Sequence, residues 1–129
     1  MTSKRVVVTG LGALTPLGNS LSEFWEGLVL GKSGAAPISY FDTSEFKTKF
    51  ACELKNYDPL NYFDRKEARK QDKFCQYAMI ASDEAIIDSN INLEKINLDR
   101  SGVIWGAGIG GLETFQNEII NFTENKKIP

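Results

Sequence analysis

The chain contains no histidine. That absence alone removes a large class of chemistry, because no Ser-His or Cys-His nucleophile pair and no Cys/His zinc centre can be assembled from these 129 residues. Cysteine is almost as scarce. Cys52 and Cys75 are the only two, too few for a disulfide scaffold or a four-cysteine metal site, so a reduced pair is expected. No apolar run approaches the ~20 residues of a membrane-spanning helix. Neither charge sign dominates: 15 Lys and Arg against 17 Asp and Glu leave a net charge of −2, which argues against a general nucleic-acid binder. Repeats, low-complexity tracts and linkers are also lacking. Met1-Thr2-Ser3-Lys4 leads straight into an apolar run, so no signal peptide is expected; with the reduced cysteine pair, a cytoplasmic location is the expectation.

What is present reads as an ordinary globular composition of about one domain, 42% hydrophobic and 25% charged. Residues 5–9 form an apolar β-branched run, expected to be a buried, central, parallel strand. The loop after it carries Gly10, Gly12, Pro16 and Gly18, so it should turn tightly and pack close to other backbone. Residues 20–30 predict a helix with Ser20 as cap, Glu23 completing a capping box, Gly31 ending it, and Phe24, Trp25 and Leu28 on its buried face. A turn-rich stretch at 32–48 and a short strand at 50–54 follow. Residues 64–70 predict a short basic helix and 72–88 a longer one. On the longer helix Phe74, Tyr77, Ala78, Ala81 and Ala85 share one face, and Asp72, Lys73, Gln76, Asp83 and Glu84 form the opposite arc. Its small residues imply close packing against a sheet. Residues 101–105 predict a second buried strand, and 112–124 a helix with Phe115, Ile119 and Phe122 on one face. This alternation gives an α/β class with a mainly parallel sheet.

Three features are candidates for function. Gly106-Ala107-Gly108-Ile109-Gly110-Gly111 satisfies the G-x-G-x-x-G pattern between a predicted strand and a predicted helix. No second strand with a terminal acidic residue follows about 20 positions on, so a tight turn for close backbone packing is favoured over nucleotide binding. Lys66, Arg69, Lys70 and Lys73 recur at i, i+3, i+4, i+7, and one helical face would present all four. That face is either a solvated surface or a dock for an acidic partner. Lys126 and Lys127 either extend it or are tail residues. Cys75 falls on an apolar helix side and Cys52 in an apolar stretch, so both are expected to be small buried hydrophobes rather than nucleophiles. The acidic residues show no spacing for a metal site or a carboxylate dyad.

Five segments carry a resemblance. Lys4-Arg5-Val6-Val7-Val8-Thr9-Gly10-Leu11-Gly12 with Thr15-Pro16-Leu17-Gly18 is similar to the opening of the β-ketoacyl-acyl-carrier-protein synthases of the type II class, the condensing enzymes of fatty acid synthesis. Gly31-Lys32-Ser33-Gly34, Phe41-Asp42-Thr43-Ser44, Arg65-Lys66-Glu67-Ala68-Arg69-Lys70-Gln71-Asp72 and Gly106-Ala107-Gly108-Ile109-Gly110-Gly111-Leu112 continue it in the same order. Ala107 stands where relatives often carry serine. The resemblance implies a thiolase-like fold of two similar α/β halves, usually paired into a homodimer, with residues 1–129 a partial N-terminal domain. It also implies an acyltransferase that uses a cysteine and two histidines to join an acyl thioester to malonyl-acyl-carrier protein with loss of carbon dioxide. None of those three catalytic positions has a counterpart here, so the segment alone is expected to be inert. No cofactor or metal is implied. Two noncatalytic roles carry over by position: Ile109 as the gate of the acyl-chain pocket, and Lys66, Arg69 and Lys70 as contacts to acyl-carrier protein. The alternative readings are a noncatalytic fragment that docks carrier protein, and a nucleotide-binding α/β domain using the loop at Gly106.

Overall fold

The computed structural model describes residues 4–125. Its elements in chain order are α1 (Leu21–Val29), β1 (Ala36–Pro37), β2 (Phe50–Ala51), α2 (Arg65–Lys70), α3 (Lys73–Ser89) and α4 (Leu112–Asn125), with single 3-10 turns at Pro59–Asn61, Leu93–Lys95 and Leu98–Arg100. Met1, Thr2 and Ser3, part of the expected leaderless start, and both Lys126 and Lys127 lie outside the described residues. Within the described residues no helix is long and apolar enough to cross a membrane.

The longest helix, α3, organises the rest. Its Ala78, Ile80 and Ala81 are the buried apolar side chains, and Phe74, Tyr77 and Ala85 are half-buried beside them. The small side chains do what their size allows: they let backbone come close. A Cβ added to Gly12 would stand 2.0 Å from the Ala81 carbonyl oxygen, and one on Gly10 2.2 Å from that of Ala85. The segment at 10–13 therefore lies directly on α3, as its glycines predict. Carboxylates fix its register. Asp88 accepts from the Leu11 N–H at 2.9 Å. Glu84 accepts from the Ala13 N–H at 2.7 Å through one oxygen and from the Leu21 N–H at 2.7 Å through the other.

The caps of α1 follow local chemistry. Ser20 Oγ accepts from the Glu23 N–H, and Glu23 Oε2 accepts from the Asn19 N–H at 2.7 Å, one residue earlier than a reciprocal capping box would place it. At the other end Gly31 takes φ +62°, its N–H reaching Leu28 O and that of Lys32 reaching Gly27 O. This pair of bonds is the Schellman arrangement, which a left-handed glycine permits.

Several expectations are corrected. Residues 5–9 and 101–105 form no strand, and Val6 and Ile104 are 91% and 101% exposed. An extended apolar run becomes a strand only when another backbone lies alongside to complete the ladder, and none does here. The mainly parallel sheet is accordingly not formed among the described residues; the one ladder is the antiparallel pair β1–β2, joining Ala36 to Ala51 and Pro37 to Phe50. The strand expected at 50–54 shrinks to two residues, and Cys52 beyond it is exposed rather than buried. On α1, Trp25 and Leu28 are exposed and Phe24 half-buried; on α4, Phe115, Ile119 and Phe122 are exposed. Their apolar faces exist, but nothing among the described residues covers them. Gln76 and Glu84, expected on the solvent arc of α3, are instead buried and half-buried because backbone donors and acceptors converge on them.

Candidate functional site

The basic helix α2 has only six residues and owes its existence to its ends. Asp64 Oδ1 accepts from the N–H groups of Lys66 at 2.7 Å and Glu67 at 2.8 Å. This acidic cap and the cations in the last turn, Arg69 and Lys70, both complement the helix dipole. The far end is closed by α3. Gln76 Nε2 donates to Ala68 O at 2.8 Å and to Gln71 O at 3.1 Å, while its Oε1 accepts from the Tyr57 hydroxyl at 2.7 Å. A buried amide with all these partners satisfied holds the two helices in one arrangement. Burial, with Tyr62 and Asp58 nearby, pushes the Tyr57 phenol up to about 12.

This anchoring leaves Lys66, Arg69 and Lys70 exposed on α2. Lys73 does not join them. Gln71 is extended at φ −114° and ψ 133°, so the chain turns before α3 begins and the i to i+7 spacing is not continued on one helix. Lys73 Nζ instead pairs with Glu113 Oε2 at 2.8 Å and lies 4.8 Å from the centre of the Tyr40 ring. Among the described residues this is the one ion pair.

The glycine loop at 106–111 approaches the start of α3. A Cβ on Gly110 would stand 2.6 Å from the Phe74 ring, and Gly111, at φ +70°, faces the Asp72 carboxylate. Asp72 Oδ1 also accepts from the Thr114 hydroxyl. Between these elements lies an open cleft of about 640 Å³. Ala68 and Gln71 from the α2 end, Tyr40, Tyr57 and Tyr77, and Ile109 from the loop all line it. Burial raises the Tyr77 phenol well above its ordinary range, with Tyr40, Tyr57 and Glu113 adding to the effect. Ile109 itself is 75% exposed at the loop tip.

The cleft offers aromatic walls and polar groups, among them the Thr114 hydroxyl bound to Asp72, but no thiol and no imidazole. Cys52 is exposed and Cys75 half-buried, and neither lines it. Among the described residues no cluster of acidic, cysteine or histidine side chains could hold a metal. The loop is also poorly disposed toward a pyrophosphate. Asp72 places a carboxylate at the N-terminus of α4, where a phosphate would need positive potential, and the nearby Lys73 is already paired with Glu113. Sequence reasoning missed the cluster at Asp72, Lys73 and Phe74, whose partners lie about forty positions away and have no local signature.

The sequence profile of the family described as "Beta-ketoacyl synthase, N-terminal domain" matches residues 3–128. The chain is 46% identical over 115 residues to the 3-oxoacyl-[acyl-carrier-protein] synthase 2 of Synechocystis sp., covering 89% of this chain and 28% of that protein. It is 44% identical to the enzyme of the same name from Staphylococcus aureus over 88% of this chain and 28% of the relative, and 46% identical to that of Coxiella burnetii over 87% and 27%. The chain thus spans about 28% of the length of the curated relatives it matches. Among solved structures it superposes on the ishigamide ketosynthase/chain length factor with a TM-score of 0.62 and 31% identity, covering 70% of this chain and 22% of that one. It also superposes on a ketosynthase in complex with its type II PKS acyl-carrier protein, with a TM-score of 0.50, 25% identity and coverage of 70% and 23%. The profile match and the relatives agree: this chain belongs to the β-ketoacyl synthase family, in its N-terminal domain.

Proposed function

We propose that the chain is the N-terminal segment of a cytoplasmic β-ketoacyl-[acyl-carrier-protein] synthase that elongates fatty acyl chains as a homodimer. In this reading residues 1–129 belong to a partial thiolase-like domain whose mainly parallel sheet is completed by further strands. A cysteine takes the acyl group from its carrier. Malonyl-carrier protein loses carbon dioxide, the resulting carbanion attacks the acyl carbonyl, and the cysteine thiolate leaves. The cysteine and the imidazoles would come from elsewhere in the enzyme, since these residues contain no histidine and neither Cys52 nor Cys75 lines the cleft.

The observation that carries the reading is the family match over residues 3–128, strengthened by relatives at 44–46% identity that share one enzyme name. Within it, Lys66, Arg69 and Lys70 dock acyl-carrier protein and Ile109 gates the acyl pocket. Lys66, Arg69 and Lys70, exposed with Arg65 on a helix capped at both ends, suit an acidic partner, because complementary charge speeds and orients encounter. A related ketosynthase has been solved with its carrier protein bound, which favours the same partner here. An exposed branched side chain at the tip of a glycine loop, on the wall of an open cleft, suits a gate.

Charge reversal tests the docking surface. In a full-length synthase carrying this segment, Lys66→Glu, Arg69→Glu and Lys70→Glu together should weaken binding of acyl-carrier protein roughly tenfold or more, at about 0.5–1 kcal/mol for each exposed pair. The loss should shrink as salt rises. Unchanged affinity by calorimetry would remove the docking role from this helix.

A further inference from the structure

We infer that Asp72 is a positioning residue for the glycine loop that carries Ile109, acting through Thr114; the consequence for acyl-chain selection rests on the gate reading above, whereas the clamp itself does not. Three consecutive residues at the start of α3 grip the loop and the first turn of α4. Asp72 accepts from the Thr114 hydroxyl and faces Gly111, Lys73 pairs with Glu113 at 2.8 Å, and the Phe74 ring lies against Gly110. Asp72 is free to do this because, although it occupies the N-cap of α3, its side chain makes no capping bond to that helix. Gly110 and Gly111 cannot be replaced without displacing these partners: a Cβ on Gly110 would overlap the Phe74 ring, and Gly111 holds a left-handed φ of +70° beside the carboxylate.

The geometry has a second consequence. Asp72 is two residues beyond Lys70, the end of the exposed basic helix, and Gln76 ties that end to α3 by hydrogen bonds to Ala68 O and Gln71 O. The clamp therefore joins the α2 terminus to the loop through one short stretch of chain. Its contribution should fall mainly on the loop's openings, since a hydrogen bond to a charged group is among the stronger side-chain contacts.

Hydrogen exchange in a full-length synthase carrying this segment tests it. In Thr114→Val, amides of the first turns of α4, beginning with Phe115, whose N–H donates to Gly111 O, should exchange roughly tenfold faster, with Thr114→Ser restoring protection because it keeps the hydroxyl. Asp72→Ala, which removes the acceptor, should resemble Thr114→Val, and the double variant should be no faster than either alone, as expected of two residues in one interaction. Asp88→Asn, which alters the contact to Leu11 instead, should leave these amides unchanged. Equal exchange in Thr114→Val and the parent, or failure of Thr114→Ser to restore protection, would overturn the clamp. Selectivity then separates the two readings: a changed ratio of kcat/KM between long and medium acyl carriers in Thr114→Val supports positioning of the gate. Faster exchange with an unchanged ratio keeps the clamp and removes the gate.

Discussion

Gln76 shows how far a single residue can depart from its helical address. Periodicity puts it among polar neighbours on the outer arc of α3, yet it is 4% exposed and bonded to Tyr57, Ala68 and Gln71. Replacing it by leucine fills similar space but leaves two carbonyls and a phenol without partners. In the synthase that carries this segment, Gln76→Leu should lower stability by about 1–3 kcal/mol in chemical denaturation. A loss within error would mean that water serves those groups equally well. The two raised phenols give a pH signature at the same scale. Burial favours the neutral form of Tyr57 and Tyr77, so the unfolded chain releases those protons first, from about the ordinary 10.0. Their contribution to stability is intact below that pH and is lost as pH rises toward 12 and beyond. Phenolate absorbance of the folded protein should lag that of the denatured chain across this range; coincident titrations would contradict it.

At the scale of elements, what holds α3 to its neighbours is backbone proximity more than side-chain bulk. Gly12 stands so close to Ala81 O that a Cβ would sit 2.0 Å away, against helix backbone that has nowhere to move. Gly31 is different: a Cβ there meets nothing within 4 Å, and only its φ of +62° opposes substitution. Gly12→Ala should therefore cost about 3 kcal/mol or more by overpacking, and Gly31→Ala about 1 kcal/mol by left-handed strain. Thermal denaturation of both variants should reproduce that order, and the reverse order would show that the segment at 10–13 does not seat on α3. The helices α1, α2 and α3 were legible in the sequence because caps and periodicity are local properties. The strands at 5–9 and 101–105 were legible only as apolar runs, since a ladder needs a second backbone.

At the scale of the whole molecule, the described residues expose an unusual amount of apolar surface. Val6, Val8, Ile104, Phe115 and Phe122 all face outward, and the covered core is confined to α3. Extended patches of this kind mark surfaces that other protein covers. The 129 residues studied in isolation should therefore self-associate or remain partly unfolded, seen as excess mass in light scattering and as binding of a hydrophobic dye. A monodisperse monomer with one sharp melt would contradict this. The same material should not decarboxylate malonyl-carrier protein above background, because it contains no imidazole; measurable turnover would require a different nucleophile and base.

By itself the sequence determined the family, the capped helices and the basic stretch at 64–70, since each depends on residues close together in the chain or on motifs kept in order. Tertiary structure alone decided that Lys73 leaves the basic face for Glu113, that Gln76 and Glu84 turn inward, and that Asp72 reaches Thr114. These depend on which backbone groups and charges meet across tens of residues. Periodicity along one helix carries no record of what lies opposite it.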